Sequence, residues 1–152
     1  MTLYAESSAV LAWLRGETKG RTVRSLLTKA DTVIASDLTL IECDRVLIRS
    51  TALNEITENQ AVRRRACLNA AAAHWHLLRI APEIVDRARR RFPLEPVRTL
   101  DAIHLSSALL ASSATDEFAM LTLDERIRKN AIELGLSIEA QTGWSEKVSL
   151  LP

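Results

Sequence analysis

Short β-branched and apolar runs recur along this chain, each followed by a longer segment of helical periodicity. That alternation limits the fold more than any other feature of the sequence. Residues 2–5 (TLYA), 32–35 (TVIA), 75–80, 117–121 and 136–139 read as strands. Residues 7–14, 17–30, 38–50, 55–73, 82–92, 99–111 and 124–134 read as helices. Gly16 and Gly135 stop two of these helices and Pro82 opens a third. Ser36 or Asp37 caps the helix 38–50, and Thr99 caps the helix 99–111. The pattern predicts an α/β fold: a three-layer sandwich with a central, mostly parallel sheet between helices.

The 4 glycines and 4 prolines are spread thinly, with no linker, repeat or low-complexity stretch, so residues 1–152 are expected to form a single domain. A net charge of +1 excludes a uniformly basic nucleic-acid binder and an acidic tail protein. No run of about 18 uncharged apolar residues offers a membrane span. No basic segment precedes an apolar run at the N-terminus, so a cytoplasmic location is expected. Cys43 and Cys67 are too few for a disulfide scaffold, and neither lies in a CxxC zinc pattern. The absence of GxGxxG and GxxxxGK[ST] argues against dinucleotide and P-loop sites.

Parallel sheets bind ligands beyond the carboxyl ends of their strands. Glu6 follows the first strand directly, and Asp124 lies just after the fourth. Asp101 falls in the first turn of the helix from Thr99, and Glu42 one turn into the helix after the second strand. Four carboxylates gathered there repel one another unless a cation is present. Hard oxygen donors suit Mg²⁺ or Mn²⁺ rather than zinc. Such an ion lowers the pKa of water and steadies a phosphate oxygen. Each acid also has a plain structural reading. Asp101 and Asp124 suit helix caps or dipole partners. On a helical wheel Glu42 falls with Arg45 and Arg49, as a solvated residue. Asp44, inside the arc of Leu40, Ile41, Leu47 and Ile48, is the odd polar residue, so periodicity alone nominates Asp44 over Glu42.

Four segments, LYAESSAV (3–10), SDLTLIE (36–42), RTLDAIHL (98–105) and LTLDER (121–126), occur in this order over nearly the whole chain. Together they resemble the motifs of the PIN-domain family, in particular the VapC-type toxins of bacterial and archaeal toxin–antitoxin pairs. The resemblance implies a flavodoxin-like parallel sheet and a Mg²⁺- or Mn²⁺-dependent endoribonuclease that hydrolyses RNA with metal-activated water. It also implies a homodimer restrained by a cognate antitoxin protein. It places Glu6, Glu42, Asp101 and Asp124 on the family's catalytic, metal-holding positions, and so selects Glu42 over Asp44. Glu6 stands where the family usually carries Asp; the extra methylene moves the carboxylate by up to about 1.5 Å. The alternative reading is a PIN-like module, impaired in catalysis, that binds RNA or protein.

Arg87, Arg90 and Arg91 share a face if 82–92 is helical, and with Arg98 they are candidates for tracking an RNA backbone, against a plain solvated face. His74 and His76 alternate along the third strand without a third ligand. His104 reads as a packed helix residue, and Trp13, Trp75 and Trp144 as packing. Ser7 and Ser8 suit a helix cap or a phosphate contact. Trp13, Leu14, Leu26 and Leu27 supply the apolar surface for a dimer, some of it spent on the core.

Overall fold

In a computed structural model of the chain, which describes residues 1–139, four strands form one parallel sheet whose central strands are buried on both faces. β1 (Thr2–Ala5) lies between β2 (Thr32–Ser36) and β4 (Phe118–Leu121), and β3 (His76–Leu78) pairs with the far side of β2. All pairings are parallel and the order is β3-β2-β1-β4. Tyr4 and Met120 face one core with Leu105 and Ala108 of α6 (Thr99–Ser112) and Ile127 and Ala131 of α7 (Glu125–Glu133). Leu3, Ala5, Val33, Ala35 and Leu121 face the other way. There they meet Val10 and Leu14 of α1 (Ser7–Arg15), Val23 of α2 (Gly20–Lys29), Cys43 of α3 (Asp37–Ala52) and Leu68 of α4 (Glu58–Ala72). The expected three-layer α/β sandwich is present. The chain steps outward from β1 to β3, then crosses to the opposite side of β1 for β4. The reversal therefore lies between β1 and β4, at the place where doubly wound sheets open a binding crevice.

Several boundaries differ from the sequence expectation for local reasons. Glu17 belongs to the turn that closes α1: Gly16 adopts φ 70°, and the Glu17 N–H donates to the Ala12 carbonyl. α4 starts late because Thr57 and Gln60 form a capping box. Thr99 is the first helical residue of α6; Arg98 occupies the cap position without a side-chain cap bond. α5 (Pro82–Ala88) stops short of residue 92. Past it the chain turns to bury Phe92, and the Glu95 carboxylate accepts from the N–H groups of Phe92 and Val97. Arg90 and Arg91 therefore lie beyond α5, and the arginine face expected on one helix does not form. The strand expected over 136–139 contracts to one parallel bridge between Met120 and Ile138. His76 is in β3, but His74 lies in the turn before it, so the two do not share a strand face. Leu14 is core, and Trp13, Leu26, Leu27 and Trp75 pack against the core while remaining partly exposed. Trp144 lies outside the described residues.

α1 and α2 approach so closely that a Cβ on Gly20 would stand 2.3 Å from the Ala12 carbonyl oxygen, a backbone atom with little room to yield. Gly20→Ala is expected to lower the unfolding free energy by about 1–3 kcal/mol, read from the urea midpoint. An unchanged midpoint would contradict this packing.

Candidate active site

At the carboxyl end of β1, Glu6 ends the strand and caps α1. It is 2% exposed. Its Oε1 accepts from the Ser8 N–H at 3.0 Å and the Ser7 hydroxyl at 2.7 Å. Its Oε2 accepts from the Ser8 hydroxyl and, at 2.8 Å, from Thr122 just past β4. Glu6, rather than Ser7 or Ser8, is thus the α1 cap, and both serine hydroxyls act as donors to the acid itself. Ser8 Oγ also accepts from the N–H groups of Leu123 and Asp124, which ties the loop after β4 to the start of α1.

The other acids arrive from three further elements. Ser36 caps α3 by accepting from the Leu38 N–H, and Thr39 donates to the Ala5 carbonyl at 3.1 Å. This anchors α3 against the end of β1 and turns Glu42 toward α1. The Glu42 carboxylate accepts from the Ser7 hydroxyl at 2.7 Å and stands 2.5 Å from His104 Nε2. Asp124 caps α7, with Oδ1 accepting from the Arg126 and Ile127 N–H groups. Asp101 occupies the first turn of α6. Glu6, Glu42, Asp101 and Asp124 line one cleft of about 310 Å³ together with Ser7, Ser8, Arg98 and Thr99. All four sequence-nominated acids converge. Of the four nominated arginines, Arg98 lines the cleft. Arg87 instead lies over the Phe92 ring, 4.3 Å from its centroid.

Asp44 finds its partner elsewhere: Arg65 on α4 donates to its Oδ1 at 2.8 Å. The apolar arc that singled it out depended on Ile41 and Ile48, which are exposed; the buried face of α3 is Leu38, Thr39, Cys43, Leu47 and Ser50. His104 and Thr122 are the residues that sequence reasoning passed over. His104 is packed, as expected, but it also joins the polar network. Thr122 lies two residues before Asp124, a hydroxyl at the point where β4 ends.

The charges strain against one another. Asp101 is held above the ordinary carboxyl range by partial burial first and then by the charges of Asp124 and Glu6; Arg98 and Arg126 offset part of this. For Glu42, burial pushes the carboxyl up, but hydrogen bonds from His104 and Ser7 and the charge of His104 outweigh it and leave the carboxyl below its usual range. Burial foremost, with the charges of Glu42, Glu6 and Asp44, pushes the Cys43 thiol up to about 12, so it offers no thiolate nucleophile. Ser7 Oγ carries one hydrogen yet lies 2.7 Å from a carboxylate oxygen of both Glu6 and Glu42. The cleft is rich in hard oxygen acceptors and short of positive charge, a donor set that fits Mg²⁺ or Mn²⁺.

The PIN domain family profile matches residues 3–133, and the chain belongs to this family. Ribonuclease VapC46 of Mycobacterium tuberculosis is 30% identical over 138 residues, covering 91% of this chain and 96% of that protein. Ribonuclease VapC35 of the same organism is 27% identical over 144 residues, covering 91% and 96%. Among solved structures, VapC20 of M. tuberculosis, a sarcin–ricin loop cleaving toxin, superposes with a TM-score of 0.60 at 14% identity over 84% of this chain and 93% of that one. VapBC2 of Rickettsia felis, bound to a fragment of its promoter DNA, does so with a TM-score of 0.62 at 11% identity over 91% and 98%. At these identities the structural likeness speaks for the fold.

A carboxyl raised in the folded state adds stability below its unfolded pKa and loses it as pH rises through the folded value. Asp101→Asn is therefore expected to raise the melting temperature in metal-free buffer at pH 7, by about 1–3 °C given the solvent screening of this site. The gain should shrink as pH falls through the carboxyl range, where Asp101 is protonated in both states. A lower melting temperature for Asp101→Asn at pH 7 would contradict the repulsion.

Proposed function

We propose that this chain is a Mg²⁺- or Mn²⁺-dependent endoribonuclease, a single PIN-like domain acting in the cytoplasm as the toxin of a toxin–antitoxin pair. The observation that carries the reading is the convergence of Glu6, Glu42, Asp101 and Asp124 on one cleft at the sheet's switch point, in a chain of the PIN family. The names of the ribonuclease relatives support it.

Asp101, Asp124 and Glu6 would hold the cation, with Glu42 completing or orienting the set. The cation would supply Lewis acidity toward water and a phosphate oxygen. The protein's own part is to assemble the carboxylates before substrate arrives and to present Arg98 at the cleft wall, where a guanidinium suits the phosphate backbone of RNA. A homodimer and an antitoxin partner belong to the same reading. Exposed Ile41 and Ile48 on α3 and Val62 on α4 offer apolar surface for such contacts, beside the partly exposed Trp13, Leu26 and Leu27 of α1 and α2.

Incubation of the purified chain with mixed RNA tests the proposal. Cleavage should require Mg²⁺ or Mn²⁺, stop with EDTA, and fall by roughly 10²-fold or more in Asp101→Asn. The ends should be 5′-phosphate and 3′-hydroxyl. Products ending in 2′,3′-cyclic phosphate would point to attack by the RNA's own 2′-hydroxyl and defeat the hydrolytic reading. RNA bound without cleavage would favour the non-catalytic module. Light scattering on the same sample should give the mass of a dimer, and a monomer would remove that part.

A further inference from the structure

We propose that His104 is a positioning residue for Glu42: it fixes that carboxylate in the cleft through Nε2 and is itself fixed to the sheet by Tyr4. The proposal rests on the metal-nuclease reading of the same site and deepens it.

His104 lies one turn past Asp101 on α6 and is 1% exposed. Its Nε2 stands 2.5 Å from Glu42 Oε2, and its Nδ1 stands 3.1 Å from the Tyr4 hydroxyl. An ionised carboxylate only accepts, so Nε2 carries the hydrogen. In a neutral ring Nδ1 then accepts from the Tyr4 O–H, and in a protonated ring Nδ1 donates to the Tyr4 oxygen, so Tyr4 anchors the imidazole in either state. Tyr4 is fully buried in β1, and its ring meets the imidazole edge-on with centroids 6.2 Å apart. The chain of constraint runs from sheet to tyrosine to imidazole to carboxylate.

Glu42 needs this support because its other donor is shared. Ser7 Oγ has a single hydrogen and two carboxylate oxygens at 2.7 Å, one from Glu6 and one from Glu42. When that hydrogen serves Glu6, Ser7 holds Glu42 no longer. His104 Nε2 is 3.8 Å from Glu6 Oε1 and 3.3 Å from Ser7 Oγ, so its shortest approach by far is the 2.5 Å to Glu42. With Glu6 anchored by Ser8 and Thr122, each acid then has its own fixed donors. Groups that orient a ligand in this way are typically worth about 10- to 100-fold in metal affinity or activity.

The test measures Mn²⁺ affinity and RNA cleavage of the full chain in His104→Leu, His104→Gln, Tyr4→Phe and Glu42→Gln, and in the double variants with Glu42→Gln. His104→Leu should weaken Mn²⁺ binding and cleavage by about 10- to 100-fold. His104→Gln, which can place an amide N–H near the Nε2 position, should restore most of the loss. On the Glu42→Gln background, His104→Leu should cost less than about twofold more, because its effect passes through Glu42. Tyr4→Phe keeps the ring and removes the anchor on Nδ1; it should weaken Mn²⁺ binding in the same Glu42-dependent way, and it serves if His104→Leu does not fold. Parent-like affinity in a folded His104→Leu or in Tyr4→Phe would overturn the proposal. So would His104→Gln binding as poorly as His104→Leu, the result if Nε2 were itself the ligand, or an undiminished cost on the Glu42→Gln background. A parent chain that binds no Mn²⁺ overturns the metal reading and this proposal together.

Discussion

A buried carboxylate at the start of α1 organises everything around it. An ionised acid away from water is costly unless its lone pairs are filled. Glu6 fills all four acceptor positions, from Ser7, from Ser8 twice, and from Thr122. Those donors come from the first turn of α1 and from the exit of β4. Satisfying the charge therefore locks the two elements that flank the sheet's switch point. Ser8 extends the lock to the loop carrying Asp124, and His104 holds Glu42, which stands 2.7 Å from the same Ser7 hydroxyl. Among the described residues no buried side-chain nitrogen or oxygen lacks a partner, so the polar centre is closed by hydrogen bonds while its charges remain unbalanced.

That imbalance links fold to function. The same sheet that buries Tyr4 and Met120 on one face and Leu3, Ala5 and Leu121 on the other brings acids from four distant stretches of sequence to the carboxyl ends of its strands. Packing, not mutual attraction, holds them there, since the carboxylates repel. Three of them also support the backbone locally. Glu6 and Asp124 cap helices, and Asp101 sits in a first turn where the helix dipole favours it. Capping a helix and lining the cleft are not rival explanations at these positions, because a helix N-terminus at a strand's carboxyl end is where both are served.

The sequence carried the layer plan well, because alternation of β-branched runs and helical periods survives tertiary context. It carried the acids as positions after strands, and the family motifs sorted Glu42 from Asp44. Periodicity alone misdirected that choice because Ile41 and Ile48 are apolar yet exposed, which rotated the apparent core face of α3 away from Thr39 and Cys43. The length of α5 was overread because burial of Phe92 and the turn around Glu95 override the helical pattern of the arginine run. His104 and Thr122 were hidden for another reason. Each is an ordinary residue for its element, and its role exists only once β1, α3, α6 and the exit of β4 meet in space.

The most direct measurement of the central claim is the metal-dependent RNA cleavage rate of Glu6→Gln, with its melting curve recorded alongside. Glutamine preserves volume but turns an amide N–H₂ toward hydroxyls that need an acceptor, and it removes the charge. A cleavage rate lower by about 10²-fold or more in a chain that still folds is the predicted result. A parent-like rate would show that the buried carboxylate neither organises nor serves the site.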